Sequence, residues 1–175
     1  MDRQVLRRAA AGLLLVGAML APAAAENSPS LATRVQRLED TEEIRTVLLN
    51  YGRYLDARDF AAYSRLFAKD GEWVGGFGTV KGPAAIQAFM EKNIPGPNKD
   101  HNYHLLTNFV IDVHGDTATA WSRWTFVVPG PDKKPAMAQG GRYDDTLVRE
   151  DGHWKFKRRD ASNDPPNMPP AAEKK

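Results

Sequence analysis

The chain has 175 residues, of which 42% are apolar and 26% charged, and it contains no cysteine. That size and balance fit one ordinary globular domain, and the missing thiols exclude disulfide scaffolds, iron–sulfur clusters, thiolate zinc sites and cysteine nucleophiles. Residues 1–25 hold three Arg and one Asp while the remainder balances at 21 basic and 21 acidic residues, so the +2 of the whole chain leaves no electrostatic footprint for nucleic acid or an anionic membrane surface.

Arg3, Arg7 and Arg8 lead into the apolar run Ala9 to Leu20, followed by Pro22 and the small residues Ala23, Ala24 and Ala25. This is the pattern of a secretory signal over 1–25, with cleavage after Ala25. The run is too short and too interrupted for a bilayer span. The mature chain is therefore expected outside the cytoplasm, periplasmic or secreted, with no membrane attachment after cleavage.

Leu31, Val35, Leu38, Ile44, Val47, Leu48, Tyr51 and Leu55 recur at helical spacing, which predicts one long amphipathic helix or two in tandem, with Asp40 and Glu43 as a capping box for a restart. Asp59 is placed to cap a second short helix through Phe67. Glu72-Trp73-Val74 and Thr79-Val80-Lys81 read as short strands around Gly75-Gly76, and Pro83 opens a helix that Pro95-Gly96-Pro97 ends. After residue 100 the period becomes two: 102–113, 117–128, 138–149 and 153–160 read as strands of an antiparallel meander. Helices first and strands after predict an α+β fold over 26–162. The proline-rich segment 163–175 is expected to be disordered.

His104 is the residue type whose ordinary pKa of about 6.5 suits proton removal and return near neutrality, and a carboxylate on one ring nitrogen leaves the other free as a base. Asp56, at a helix end, is the carboxylate that could serve it. The alternative is that Asp56 only caps the turn and His104 is a satisfied wall residue. Tyr51 lies on the apolar stripe, either as a core aromatic or as a donor to a substrate oxygen. His101 and His104 are three apart on a predicted strand and so face opposite sides, which leaves no metal site. Trp73, Phe89, Met90, Leu106, Trp124 and Phe126 are the inward-facing apolar residues expected to line a pocket for a small hydrophobic molecule.

Tyr51-Gly-Arg-Tyr-Leu-Asp56, Phe67-Ala-Lys-Asp70-Gly-Glu-Trp73, Lys81-Gly82-Pro83, His104-Leu-Leu-Thr107-Asn108 and Asp151-Gly-His-Trp154-Lys-Phe156, in that order, resemble the SnoaL-like branch of the nuclear transport factor 2-like superfamily. The resemblance implies a cone of strongly curved antiparallel sheet wrapped on N-terminal helices, with a pocket at the open end and frequent oligomerisation. The chain is similar to the dehydrochlorinase and dehydratase members, including the scytalone dehydratase type. That similarity implies a cofactor-independent elimination, with Asp56, His104, Arg159 and Tyr51 as catalytic residues and Asn108 beside the substrate. Strict alternation from Trp154 and Phe156 puts Arg158 inward, and Arg159 reaches the pocket only if a bulge intervenes. The expected function is a lyase, of dehydratase or related type, acting on a small hydrophobic and cyclic molecule. A non-catalytic carrier of such a molecule and a ketosteroid-type isomerase are the alternatives. Large apolar groups on both faces of 121–128 predict a homodimer, or a homotrimer by the resemblance.

Overall fold

The computed structural model describes residues 28–130 and 132–164. The expected signal segment and residues 165–175 of the expected disordered tail lie outside them. Helix α1 (Leu31–Ala57) is a single unbroken helix, followed by α2 (Phe60–Ser64), β1 (Phe67–Gly75), β2 (Gly78–Lys81), α3 (Pro83–Asn93), β3 (Tyr103–His114), β4 (Thr117–Pro129), β5 (Pro135–Glu150) and β6 (His153–Asn163). The six strands form one curved, unclosed sheet in the order β2-β1-β6-β5-β4-β3. The fold is α+β, as the order of elements predicts. The sheet departs from a purely antiparallel one at a single pairing, where β1 lies parallel to β6.

Three local expectations change. Asp40 does not restart α1: it is buried in mid-helix, where Oδ1 accepts from Arg149 Nη2 at 2.6 Å, Gln36 Nε2 at 3.1 Å and Trp154 Nε1 at 3.3 Å. A buried carboxylate needs such partners, so this residue ties α1 to β5 and β6 rather than capping a turn. Helix α2 stops at Ser64, because Phe67 already begins β1. Strand β6 runs through Asn163, and Asp164 pairs with Arg123, so the first two residues of the expected tail belong to the folded domain.

The core lies between α1 and the inner face of the sheet, built from Ile44, Leu48, Tyr51, Tyr63, Phe67, Leu147, Trp154 and Phe156, each almost wholly buried. Burying each of the larger side chains contributes roughly 1.5–3 kcal/mol. No helix among the described residues is long and apolar enough to cross a membrane.

Candidate active site

The C-terminal end of α1 sets the site. Asp59 N donates to Tyr54 O (2.9 Å) and Arg58 N to Leu55 O (3.1 Å), a Schellman closure in which Arg58 takes the left-handed conformation at φ 60°. Asp59 then caps α2 by accepting from Ala62 N at 2.9 Å, as its position predicts. Asp56 is thus held in the last turn of α1, beside the carbonyl-rich end where a carboxylate is electrostatically disfavoured by about 0.3–1 kcal/mol. Its compensation comes from β3.

Strand β3 reaches α1 because residue 52 is glycine. A Cβ there would lie 2.9 Å from Leu106 Cδ1 and 3.8 Å from His104 Cβ. With β3 seated so closely, the backbone N–H of His104 donates to Asp56 Oδ2 at 2.8 Å, and His104 Nδ1 stands 2.6 Å from Asp56 Oδ1. Both carboxylate oxygens are occupied by one histidine. This fixes the ring and favours the proton on Nδ1, leaving Nε2 as the basic nitrogen. Nε2 makes no hydrogen bond among the described residues, and His104 lines the main cavity.

That cavity has a volume of about 500 Å³. Its buried wall is Tyr51, Leu55, Tyr63, Trp73, Met90, Trp124 and Tyr143, while Gly76, Phe77, Asn93, Gln139 and Asn163 stand exposed at its rim. Trp73 Nε1 donates to the Tyr51 hydroxyl at 2.9 Å, so the phenol oxygen accepts there and keeps its own proton to donate. Burial pushes the Tyr51 phenol up against the opposing pull of Arg159, and it pushes Tyr63 and Tyr143 well above the ordinary value. All three are therefore protonated donors at neutral pH. Trp124 stacks on Tyr143 at 5.9 Å, and Phe126 packs on the His104 ring at 4.8 Å. Gly141 makes room for that indole, since a Cβ would come within 2.7 Å of it.

Asp56, His104, Tyr51, Trp73, Met90, Trp124 and Phe126 are thus brought together. Asp56 stands behind His104 and off the cavity wall, and four further expected site residues are not on that wall either. Phe89 packs behind Trp73, with ring centroids 5.6 Å apart. Leu106 is spent on the contact with α1 at Gly52. Asn108 sits at the irregularity of β3 between Thr107 and Val110, at φ 57°, and is exposed, because the bulge breaks the alternation that would have turned it inward.

Arg159 is the fourth. The pairing of β5 with β6 skips Lys157, so Arg159 rather than Arg158 joins Phe156 on the inner face. It is fully buried and holds Asp145 with two hydrogen bonds of 2.7 and 2.6 Å. Its guanidinium lies 4.0 Å from the Tyr51 ring centre and 4.1 Å from that of Tyr143. Burial disfavours the cation, but Asp145 more than offsets this and keeps the guanidinium charged. Arg159 therefore supports two phenols from behind and does not face the cavity.

Sequence reasoning did not single out Tyr143, Tyr63, Asp145 or Arg58. Tyr143 could have been found, because it alternates with Asp145 and Leu147 on one face of β5. Among the described residues no group of three or more His, Asp or Glu is arranged to hold a metal ion.

The site is thus a curved sheet packed on a long helix, with a histidine on the wall of an aromatic cavity and its carboxylate partner behind it. The chain matches the SnoaL-like domain model over residues 36–160, and it belongs to that family. Among solved structures it is similar to a nuclear transport factor 2-like protein of cystatin-like fold from Novosphingobium aromaticivorans. Identity is 32% and the TM-score 0.68, covering 76% of this chain and 87% of that one. A protein from the same organism, proposed to be a scytalone dehydratase, shares the fold at 23% identity and TM-score 0.61, covering 75% and 89% of the two chains. LinA shares it at 20% identity and TM-score 0.65, over 76% and 91%. A comparison with curated proteins finds no match.

Proposed function

We propose that the protein is a cofactor-independent lyase, of dehydratase or related elimination type, acting on a small hydrophobic, cyclic molecule through His104 and Asp56. The reading rests on one observation: Nδ1 of His104 is held by Asp56 at 2.6 Å while the ring borders an apolar cavity. Nε2 would take a proton from the carbon beside the leaving group. The electrons of that C–H bond become the new double bond, and those of the C–O bond depart with the oxygen. The oxygen receives a proton from the imidazolium or from the Tyr51 phenol and leaves as water. Asp56 stabilises the imidazolium formed on the way, and Arg159 acts as a positioning residue for Tyr51 and Tyr143. The test is turnover of hydroxylated cyclic compounds by the purified protein, lost in His104→Ala.

A carrier without turnover is the second reading, and the placement of Arg159 favours it, since no guanidinium of β6 reaches the cavity to receive a departing group. The isomerase reading loses its base, because both oxygens of Asp56 are engaged by His104.

Assembly belongs to the same proposal. Leu105 and Val110 of β3 are about half exposed beside Trp121 of β4, a patch suited to a second copy as dimer or trimer. Light scattering giving the mass of one chain would sink that part. Export is likewise proposed from Arg3, Arg7, Arg8 and the alanines before Glu26; N-terminal sequencing from the native host that finds Met1 would contradict it.

A further inference from the structure

Arg58 is the one lysine or arginine among the residues lining the cavity, and no Asp or Glu lines it. It is half-buried, between the aromatic wall and the exposed rim. Its guanidinium makes one hydrogen bond, from Nη1 to Leu55 O at 2.8 Å, and no ion pair among the described residues. The backbone position is one that ordinarily selects glycine: φ is 60°, at the residue just past the end of α1. A side chain carried there at a conformational cost, with a positive charge left unneutralised over an apolar cavity, is the arrangement that captures an anion.

Resting on the lyase reading for the site itself, we propose that the ligand is an amphipathic anion: an apolar ring body with one carboxylate or comparable group that pairs with Arg58. Arg58 and His104 line the same cavity, so an anion held by Arg58 docks in the space that His104 borders. The ring body then lies against Trp124 and Phe126, which are 6.1 and 4.8 Å from His104. One end of the ligand is anchored and the carbon skeleton is turned toward Nε2. The remaining guanidinium nitrogens supply the paired N–H donors that a carboxylate accepts, and the half-buried setting makes such a charge-assisted bond stronger than it is at an open surface.

The experiment measures binding of 2-naphthoate and its neutral analogue 2-naphthamide to the full chain, by displacement of N-phenyl-1-naphthylamine. The wild-type protein is expected to bind the acid about ten-fold more tightly than the amide, as one charge-assisted pair supplies. Arg58→Gln is expected to abolish that preference while leaving the amide within about two-fold, since the amide gains nothing from the charge. Arg58→Lys should keep part of it, because it retains the charge and loses the fork. Equal weakening of both ligands would make Arg58 a helix cap only and overturn the proposal. So would an unchanged preference in Arg58→Gln, or no preference in the wild type. The readout is binding, so a protein selective for the acid that turns nothing over overturns the lyase reading and leaves this one standing.

Discussion

His104 meets Asp56 twice: its ring Nδ1 stands 2.6 Å from Oδ1, and its backbone N–H donates to Oδ2 at 2.8 Å. The second contact matters as much as the first. A ring hydrogen bond alone lets the strand slide, whereas the backbone bond fixes where β3 crosses the end of α1. The imidazole is then positioned by the main chain and oriented by the carboxylate.

That crossing depends on Gly52. Gly52→Val would drive a branched side chain into Leu106, whose Cδ1 already lies 2.9 Å from where a Cβ would be. Overpacking of this kind is expected to cost about 1–3 kcal/mol in chemical denaturation. An unchanged stability would show that β3 does not rest on α1 as described.

Asp40 predicts an acid-sensitive contact on the far side of the core. Burial raises its pKa, but hydrogen bonds from Arg149, Gln36 and Trp154 outweigh burial and hold the carboxyl below its ordinary value. A lowered folded pKa contributes stability that is fully present above the unfolded value near 3.9. That contribution is lost as the pH falls through the lower folded value. Asp40→Asn is expected to cost about 1–3 kcal/mol at pH 7 by leaving Arg149 and Trp154 short of an acceptor, and to flatten the loss between pH 5 and the acid limit. Thermal melts of both proteins across that range decide it; parallel pH profiles would contradict the assignment.

The Arg159–Asp145 pair is expected to behave as a buried ion pair. Arg159→Leu should destabilise the protein by about 3–5 kcal/mol because Asp145, whose carboxyl burial already pushes up, is left buried without its partner, and the double variant with Asp145→Leu should recover much of that loss. Urea denaturation of the two single variants and the double one measures it. Additive losses would show that the two side chains do not depend on each other.

Much of this was legible in the sequence where one physical signal governed. The helical stripe ending at Leu55, the cap at Asp59 and the period-two strands after residue 100 each followed from local chemistry, and Asp56 and His104 followed from their residue types and the family resemblance. What the sequence left open or missed was set by backbone irregularities. The bulge at Lys157 turned Arg159 rather than Arg158 inward, and the bulge near Asn108 turned that residue out. A bulge shifts every side chain after it to the other face, and no composition marks either site strongly. Arg58 was missed for a different reason: its left-handed backbone sits where a glycine is ordinarily read.

The central claim is tested most directly by incubating the purified protein with a panel of hydroxylated cyclic ketones and acids and following loss of one water by mass spectrometry. The account predicts dehydration of at least one member, slowed about 10²- to 10⁴-fold in His104→Ala, the span expected for removing a general base, and slowed also in Asp56→Asn. Turnover that is unchanged in His104→Ala would contradict it, as would tight binding of the same compounds with no turnover by the wild-type protein.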